Sequence, residues 1–190
     1  IRSGDHRTGN REHRLSGNQA REDGSHHRRR EGRRQLSGQG APKLYIDAAG
    51  LAVTIVVATW HTEITDGLLA GAERALQEAG NDVYSIMRVP GAFELPLAAQ
   101  YAIQDGADVV IALGVVIRGG TPHFEYVCSA ATDGLTRVQL DTGVPIGFGL
   151  LTVDTEAQAL ERAGLENSKE DKGAEAVEAA IVMARLKPWN

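Results

Sequence analysis

The sequence predicts a doubly wound α/β fold: a four-stranded parallel sheet with helices on both faces, three layers in all. Three observations carry that expectation. Apolar, β-branched runs alternate along the chain with stretches of helical periodicity. The runs are continuously apolar, as in strands buried on both faces. The periodic stretches between them are long enough to be the crossover helices that parallel strands require.

The elements follow in order from Pro42. A short extended piece, residues 43–46, precedes the run Leu51-Ala52-Val53-Thr54-Ile55-Val56-Val57-Ala58, the first strand. Ile64, Leu68, Leu69, Ala72, Leu76 and Ala79 then recur at helical spacing, and Gly80 ends that helix as its C-cap. The unit repeats: a strand near residues 83–89, a helix from about Glu94 to Gln104 ending at Gly106, and a strand over residues 109–117. A helix from Pro122 to about Leu140 and a strand over residues 146–153 complete the sheet. Two helices close the chain, near residues 155–163 and 171–186. Thr155 and Gln158 stand at capping-box spacing for the first, and Ser168 with Asp171 three residues on is the expected cap of the second.

Charge divides the chain unevenly. Of 190 residues with net charge −5, the first forty hold ten arginines against five acids, +5, so residues 41–190 carry −10. The first forty also lack aromatics and have only Ile1, Leu15 and Leu36 as large apolar residues. Such a segment cannot offset the entropy of ordering itself, so the expectation is a disordered Arg-rich extension followed by one domain over residues 41–190. Clusters such as Arg28-Arg29-Arg30 could neutralise phosphates, but with no aromatic to stack on bases and with interspersed acids a solvated arm is expected, and nucleic acid is not an expected partner.

Other classes are excluded. The longest apolar runs are about half of what a membrane helix needs, and no apolar stretch near Ile1 has the character of a secretory leader, so no membrane partner is expected. The single cysteine, Cys128, cannot form an internal disulfide or a cysteine metal cage, which points to a reducing, cytoplasmic compartment. It reads as a small packed residue with no base beside it to make it a nucleophile.

Ligands of doubly wound sheets sit at the carboxyl ends of the strands. After residues 109–117 the chain runs Arg118-Gly119-Gly120-Thr121-Pro122-His123. Two glycines allow close backbone approach, Thr121 suits an N-cap and Pro122 a first helical position, which together describe either an ordinary turn or an anion site of free amides at a helix N-terminus. His123 falls in the first helical turn, where the dipole opposes protonation and a neutral imidazole could act as a base. His61 has a weaker claim, because no phosphate-binding turn adjoins it. Trp60 offers an aromatic plate, Glu94 a carboxylate and Phe148 a second aromatic. Singly each could be core or surface; jointly they describe a site for a polar heteroaromatic and a phosphorylated small molecule. Arg162 and Lys172 are cations that either reach the phosphate or are solvated, with a helix C-terminus as the local partner of Arg162.

The segments Val89-Pro90-Gly91-Ala92-Phe93-Glu94-Leu95-Pro96, Ala112 through Cys128 with its core Val116-Ile117-Arg118-Gly119-Gly120-Thr121-Pro122-His123-Phe124, and Asp171-Lys172-Gly173 closely resemble the 6,7-dimethyl-8-ribityllumazine synthase family, from about Lys43 to Leu186. The resemblance implies a flavodoxin-like fold and a transferase of riboflavin biosynthesis. The reaction it implies condenses 5-amino-6-ribitylaminouracil with 3,4-dihydroxy-2-butanone 4-phosphate, with loss of phosphate and water and without metal or organic cofactor. Carried over, Trp60 would stack on the pyrimidine; Ala92, Phe93 and Glu94 would hold the ribityl chain and ring edge; and the backbone of Val115, Val116 and Ile117 would run along the ring. Gly120 and Thr121 would cradle the phosphate, Arg162 would pair with it, and His123 would shuttle protons. Phe148 would close the pocket, with Lys172 at its rim. Family members form pentamers whose sites lie between neighbours, so Phe148, Arg162 and Lys172 would face a shared site and the extended piece near residues 43–46 would join a neighbour's sheet. Residues 164–171 form a longer connection than in capsid-forming members, which favours a free pentamer. Gly120, where other members usually have a side chain, would keep the amide donor but loosen the phosphate loop. An archaeal-type riboflavin synthase and a non-catalytic flavin- or lumazine-binding shell protein remain the alternatives. The phosphate loop argues against the first, and His123, Glu94 and Arg162 against the second.

Overall fold

The structure, a computed structural model, describes residues 44–186. The expectations for residues 1–40 and for Lys43 lie outside the described residues. Four strands, β1 (Val53–Ala58), β2 (Tyr84–Val89), β3 (Val109–Ile117) and β4 (Ile146–Val153), form one parallel sheet in the order β2-β1-β3-β4. The helices between and after them are α1 (Thr62–Glu78), α2 (Leu95–Gln104), α3 (His123–Thr142), α4 (Glu156–Leu160) and α5 (Lys172–Leu186).

Strand side chains alternate between two cores. Val53, Ile55 and Val57 of β1 and Ile111 and Leu113 of β3 pack with α1, α4 and α5. Val56, Val110, Ala112 and Leu150 pack on the other face with α2 and α3. Each fully buried Ile or Leu contributes about 1.5–3 kcal/mol, so strands apolar on both sides are what a covered parallel sheet demands. The helix α5 lies unusually close. A Cβ at Gly173 would stand 2.0 Å from the Leu68 carbonyl oxygen of α1, and one at Gly147 of β4 would stand 2.3 Å from that of Ala176.

The helix ends follow local chemistry with corrections from tertiary structure. Gly80, at φ +80°, closes α1 as expected: its N–H donates to Gln77 O and that of Asn81 to Leu76 O, the paired bonds of a Schellman motif. Thr155 caps α4, its hydroxyl accepting the Gln158 N–H at 3.3 Å. That helix stops at Leu160 instead of Ala163, because the Glu161 carbonyl accepts from the Lys169 and Glu170 amides where the chain doubles back. The cap of α5 is Asp171, whose Oδ1 accepts the Ala174 N–H at 3.0 Å. Ser168, the expected cap, instead accepts from the Leu165 amide and donates to Leu160 O. Thr121 does not cap α3 either: the helix begins at His123 with Pro122 before it and no side-chain cap bond.

Candidate active site

The strand order has one switch point, between β1 and β3, where connections leave in opposite directions, and ligand crevices of such sheets open there. The register shows how the crevice arises. β1 pairs with β3 only as far as Val57 opposite Leu113, whereas β3 continues beside β4 to Ile117 opposite Val153. Beyond Ala58 the chain turns toward β2: the Thr59 N–H donates to Val89 O at 2.9 Å and its hydroxyl to Pro90 O at 3.0 Å. A cleft of about 590 Å³ is left above the short strand. That lies within the roughly 300–1,000 Å³ of small-molecule sites.

Ladder bonds of a parallel strand alternate between its two neighbours. Arg118 N–H donates to Val153 on the β4 side and Val109 N–H to Ala52 on the β1 side, so odd-numbered residues of β3 point toward β1. With β1 ended, the Val115 carbonyl and both backbone groups of Ile117 open into the cleft, a row suited to the edge of a heterocycle.

Side chains complete the enclosure. Trp60, His61, Ala92, Phe93, Glu94, Val115, Val116, Ile117, Thr121 and His123 line the cleft together with Gly119, Phe124 and Val127. Trp60 is 70% exposed and Phe93 64%, so neither is a core residue and both offer open ring surface. Glu94 sits in a 3₁₀ turn, Ala92–Glu94, and its Oε2 accepts the Gly91 N–H at 2.9 Å. This fixes the carboxylate while leaving its second oxygen for a ligand. His61 holds φ +58° and ψ 62°, a left-handed conformation unfavourable for a residue with a side chain, while its carbonyl accepts from the amides of Ile64 and Thr65. That turn brings it to the wall of the same cleft as His123, away from the loop of residues 118–122.

Gly120 is in the loop just outside, lining with Arg118, Gly119, Thr121, Pro122 and Glu125 an adjoining hollow of about 330 Å³. Among the described residues no hydrogen bond engages the amides of Gly119, Gly120 or Thr121, so the three N–H groups remain available at the N-terminus of α3. Beside them, Arg118 donates from Nε to Asp154 Oδ1 at 2.7 Å and from a terminal nitrogen to Glu125, and lies 4.2 Å above the Phe124 ring. Asp154 and then Glu125 raise its pKa further, and in return the Arg118 bond holds the Glu125 carboxyl below its ordinary value. Burial pushes the Cys128 thiol up, which fits an inert packed residue.

Besides Gly120, three candidates do not line this cleft. Phe148, 47% exposed, stands opposite Ala112, five residues short of the end of β4. Arg162 donates to Gln158 O at 2.7 Å, satisfying the C-terminal end of α4. Lys172 lies 2.7 Å from carboxylate oxygens of both Glu170 and Glu175. Burial disfavours its ammonium, but the two acids outweigh that and raise its pKa. The Glu170 side chain is only 7% exposed, and its partner among the described residues is the Lys172 ammonium. Among the described residues no group of three or more His, Cys, Asp or Glu is placed to hold a metal ion, and no helix is long and apolar enough to cross a membrane.

The family model for 6,7-dimethyl-8-ribityllumazine synthase matches residues 50–188. Similar proteins of that name include one from Kineococcus radiotolerans, 64% identical over 146 residues that cover 77% of this chain and 91% of the relative. One from Leifsonia xyli is 63% identical over 151 residues, 78% of this chain and 95% of the relative. One from Streptomyces avermitilis is 54% identical over 161 residues, 82% of this chain and all of the relative.

Proposed function

The chain belongs to the 6,7-dimethyl-8-ribityllumazine synthase family, and from that premise we infer that the cleft above β1 is where the family's condensation occurs. The reaction joins 5-amino-6-ribitylaminouracil to 3,4-dihydroxy-2-butanone 4-phosphate. It releases phosphate and water and yields the penultimate compound of riboflavin biosynthesis. The observation that carries the assignment of place is the gap in the β1–β3 ladder, which sets an exposed indole, open backbone groups and a fixed carboxylate around one space, with the unpaired amides of residues 119–121 at its edge and in the adjoining hollow.

The pyrimidine stacks on Trp60 with its edge along Val115, Val116 and Ile117, and the ribityl chain reaches Ala92, Phe93 and Glu94. The phosphate is held by the amides at Gly120 and Thr121, where the helix dipole favours negative charge. His123, the first residue of α3, moves protons as the amine condenses with the ketone to an imine and as phosphate leaves. Holding both substrates in one cleft removes much of the entropic cost of a bimolecular step.

Phe148, Arg162 and Lys172 complete the cleft of a neighbouring subunit in a pentamer. Supporting this, only Ala131 and Leu135 of the twenty residues of α3 are buried, while Tyr126, Leu140 and Phe148 leave apolar surface open. Tyr45 is fully exposed in a segment that pairs with no strand among the described residues, as a piece destined for a neighbour's sheet would be. The pentamer is free and works in the cytoplasm, and residues 1–40 form an extension outside its catalytic domain.

The test is direct. The full chain with both substrates should produce the lumazine chromophore with one orthophosphate released per product. Failure to form it, or conversion of lumazine supplied alone, would sink this reading.

A further inference from the structure

We propose that Arg118 is the positioning residue of the phosphate loop: its guanidinium ties together the two ends of residues 118–125 and so sets where the Gly119, Gly120 and Thr121 amides stand and how His123 enters the cleft. The inference rests on the functional reading above.

The loop cannot shape itself. A Cβ at Gly119 or Gly120 would meet nothing within 4 Å, and no side-chain bond caps α3, so neither packing nor capping restrains residues 119–121. Glycines in such open positions have the widest backbone freedom.

Arg118 supplies the missing restraint from outside. Its own N–H is anchored to Val153 O at 2.9 Å, continuing the β3–β4 ladder. One arm of the guanidinium then reaches Asp154 at 2.7 Å, at the end of β4, and another reaches Glu125 in the first turn of α3. Its Cζ stands 4.2 Å from the ring centroid of Phe124, the cleft-lining residue that follows His123. The ends of β3 and β4 and the first turn of α3 are thus joined by one side chain.

A lysine could not do the same, because a point charge on a flexible stem neither forks between two carboxylates nor stacks flat on a ring. Each exposed pair would be weak alone, but together with the stacking they define one geometry. Nor does Arg118 serve as the counterion of the phosphate: its single positive charge already faces the two carboxylates of Asp154 and Glu125, and an anion brought to it would meet both.

The experiment compares the wild type with Arg118→Ala, Arg118→Lys and Glu125→Gln, reading KM for each substrate, the Kd for inorganic phosphate and the melting temperature. Bracketing predicts that Arg118→Ala and Arg118→Lys raise the phosphate Kd and the KM of the phosphorylated substrate about tenfold or more, since misplacement by an ångström is costly. The KM of the pyrimidine should stay unchanged. Glu125→Gln, which keeps the Arg118 charge and the fold, should shift the same two constants in the same direction. Full rescue by Arg118→Lys, or tighter phosphate binding by Glu125→Gln, would show Arg118 to be a direct ligand and overturn the proposal, as would unchanged phosphate affinity in Arg118→Ala. Phosphate binding is read without turnover, so a wild type that binds phosphate but forms no lumazine refutes the reaction and not the bracket.

Discussion

Trp60 illustrates how a residue's role depends on what surrounds it. In a strand end after Val56-Val57-Ala58 an indole could belong to the core, yet the turn of Thr59 toward β2 leaves it exposed above the sheet. Replacing Trp60 by Ala is therefore expected to leave stability nearly unchanged and to raise the KM of the pyrimidine substrate roughly three- to tenfold, the loss of one stacking partner, measured by steady-state kinetics with the other substrate saturating. Most residues of the cleft were legible because they occupy strand ends, and strand ends are marked by where apolar runs stop. His61 was less so, since nothing in Trp60-His61-Thr62 signals a left-handed turn at a residue with a side chain. The partners of Arg118 are seven and thirty-six residues away, a distance at which pairing depends on the sheet register rather than on local pattern. The same pairing gives a pH dependence. Arg118 lowers the Glu125 pKa and Lys169 lowers that of Glu161, so both acids are more readily ionised when folded than unfolded. Their contribution to stability is complete above the ordinary carboxylate pKa of about 4.3 and is lost as pH falls through their depressed values. Glu125→Gln should accordingly flatten the acid limb of the stability curve followed by denaturant titration, whereas an unaltered limb would discount the pair.

Elements were more legible than their joints. The strands over residues 109–117 and 146–153 were bounded as observed, because uninterrupted apolar runs end at loop residues on either side. At the junction of α4 and α5 long-range bonds override the local pattern, shortening α4 and displacing Ser168 as a cap: Glu161 O serves the returning chain, and Asp171 both caps α5 and pairs with Arg74 at 2.6 Å. The close approach of α5 makes a further expectation specific. Gly173→Ala would push a methyl against the Leu68 carbonyl, where backbone and not a pliant side chain must yield. A loss of roughly 1–3 kcal/mol is expected from such overpacking, read by chemical denaturation. An unchanged midpoint would mean α5 can lift away without cost.

At the scale of the whole molecule, the net −5 conceals two compositions, +5 in residues 1–40 and −10 in the rest. The cleft lining of the single chain lies between Trp60 and Val127, the residues proposed to reach a neighbour's cleft lie between Phe148 and Lys172, and the family model spans residues 50–188, so deletion of residues 1–40 should leave turnover and assembly mass unaltered. Sedimentation of the full chain should give the mass of a pentamer. A monomer retaining full activity would contradict the shared site that Phe148, Arg162 and Lys172 are proposed to complete. The doubly wound order was legible from alternation alone, but the cleft was not, because it comes from β1 ending before β3, a matter of register between strands more than fifty residues apart. Proton transfer by His123 at the N-terminus of α3 is the step proposed to drive the condensation in that cleft, and the turnover number of His123→Ala measures it. A fall of about a hundredfold or more, with both substrates still bound, is predicted; an unchanged turnover number would contradict it.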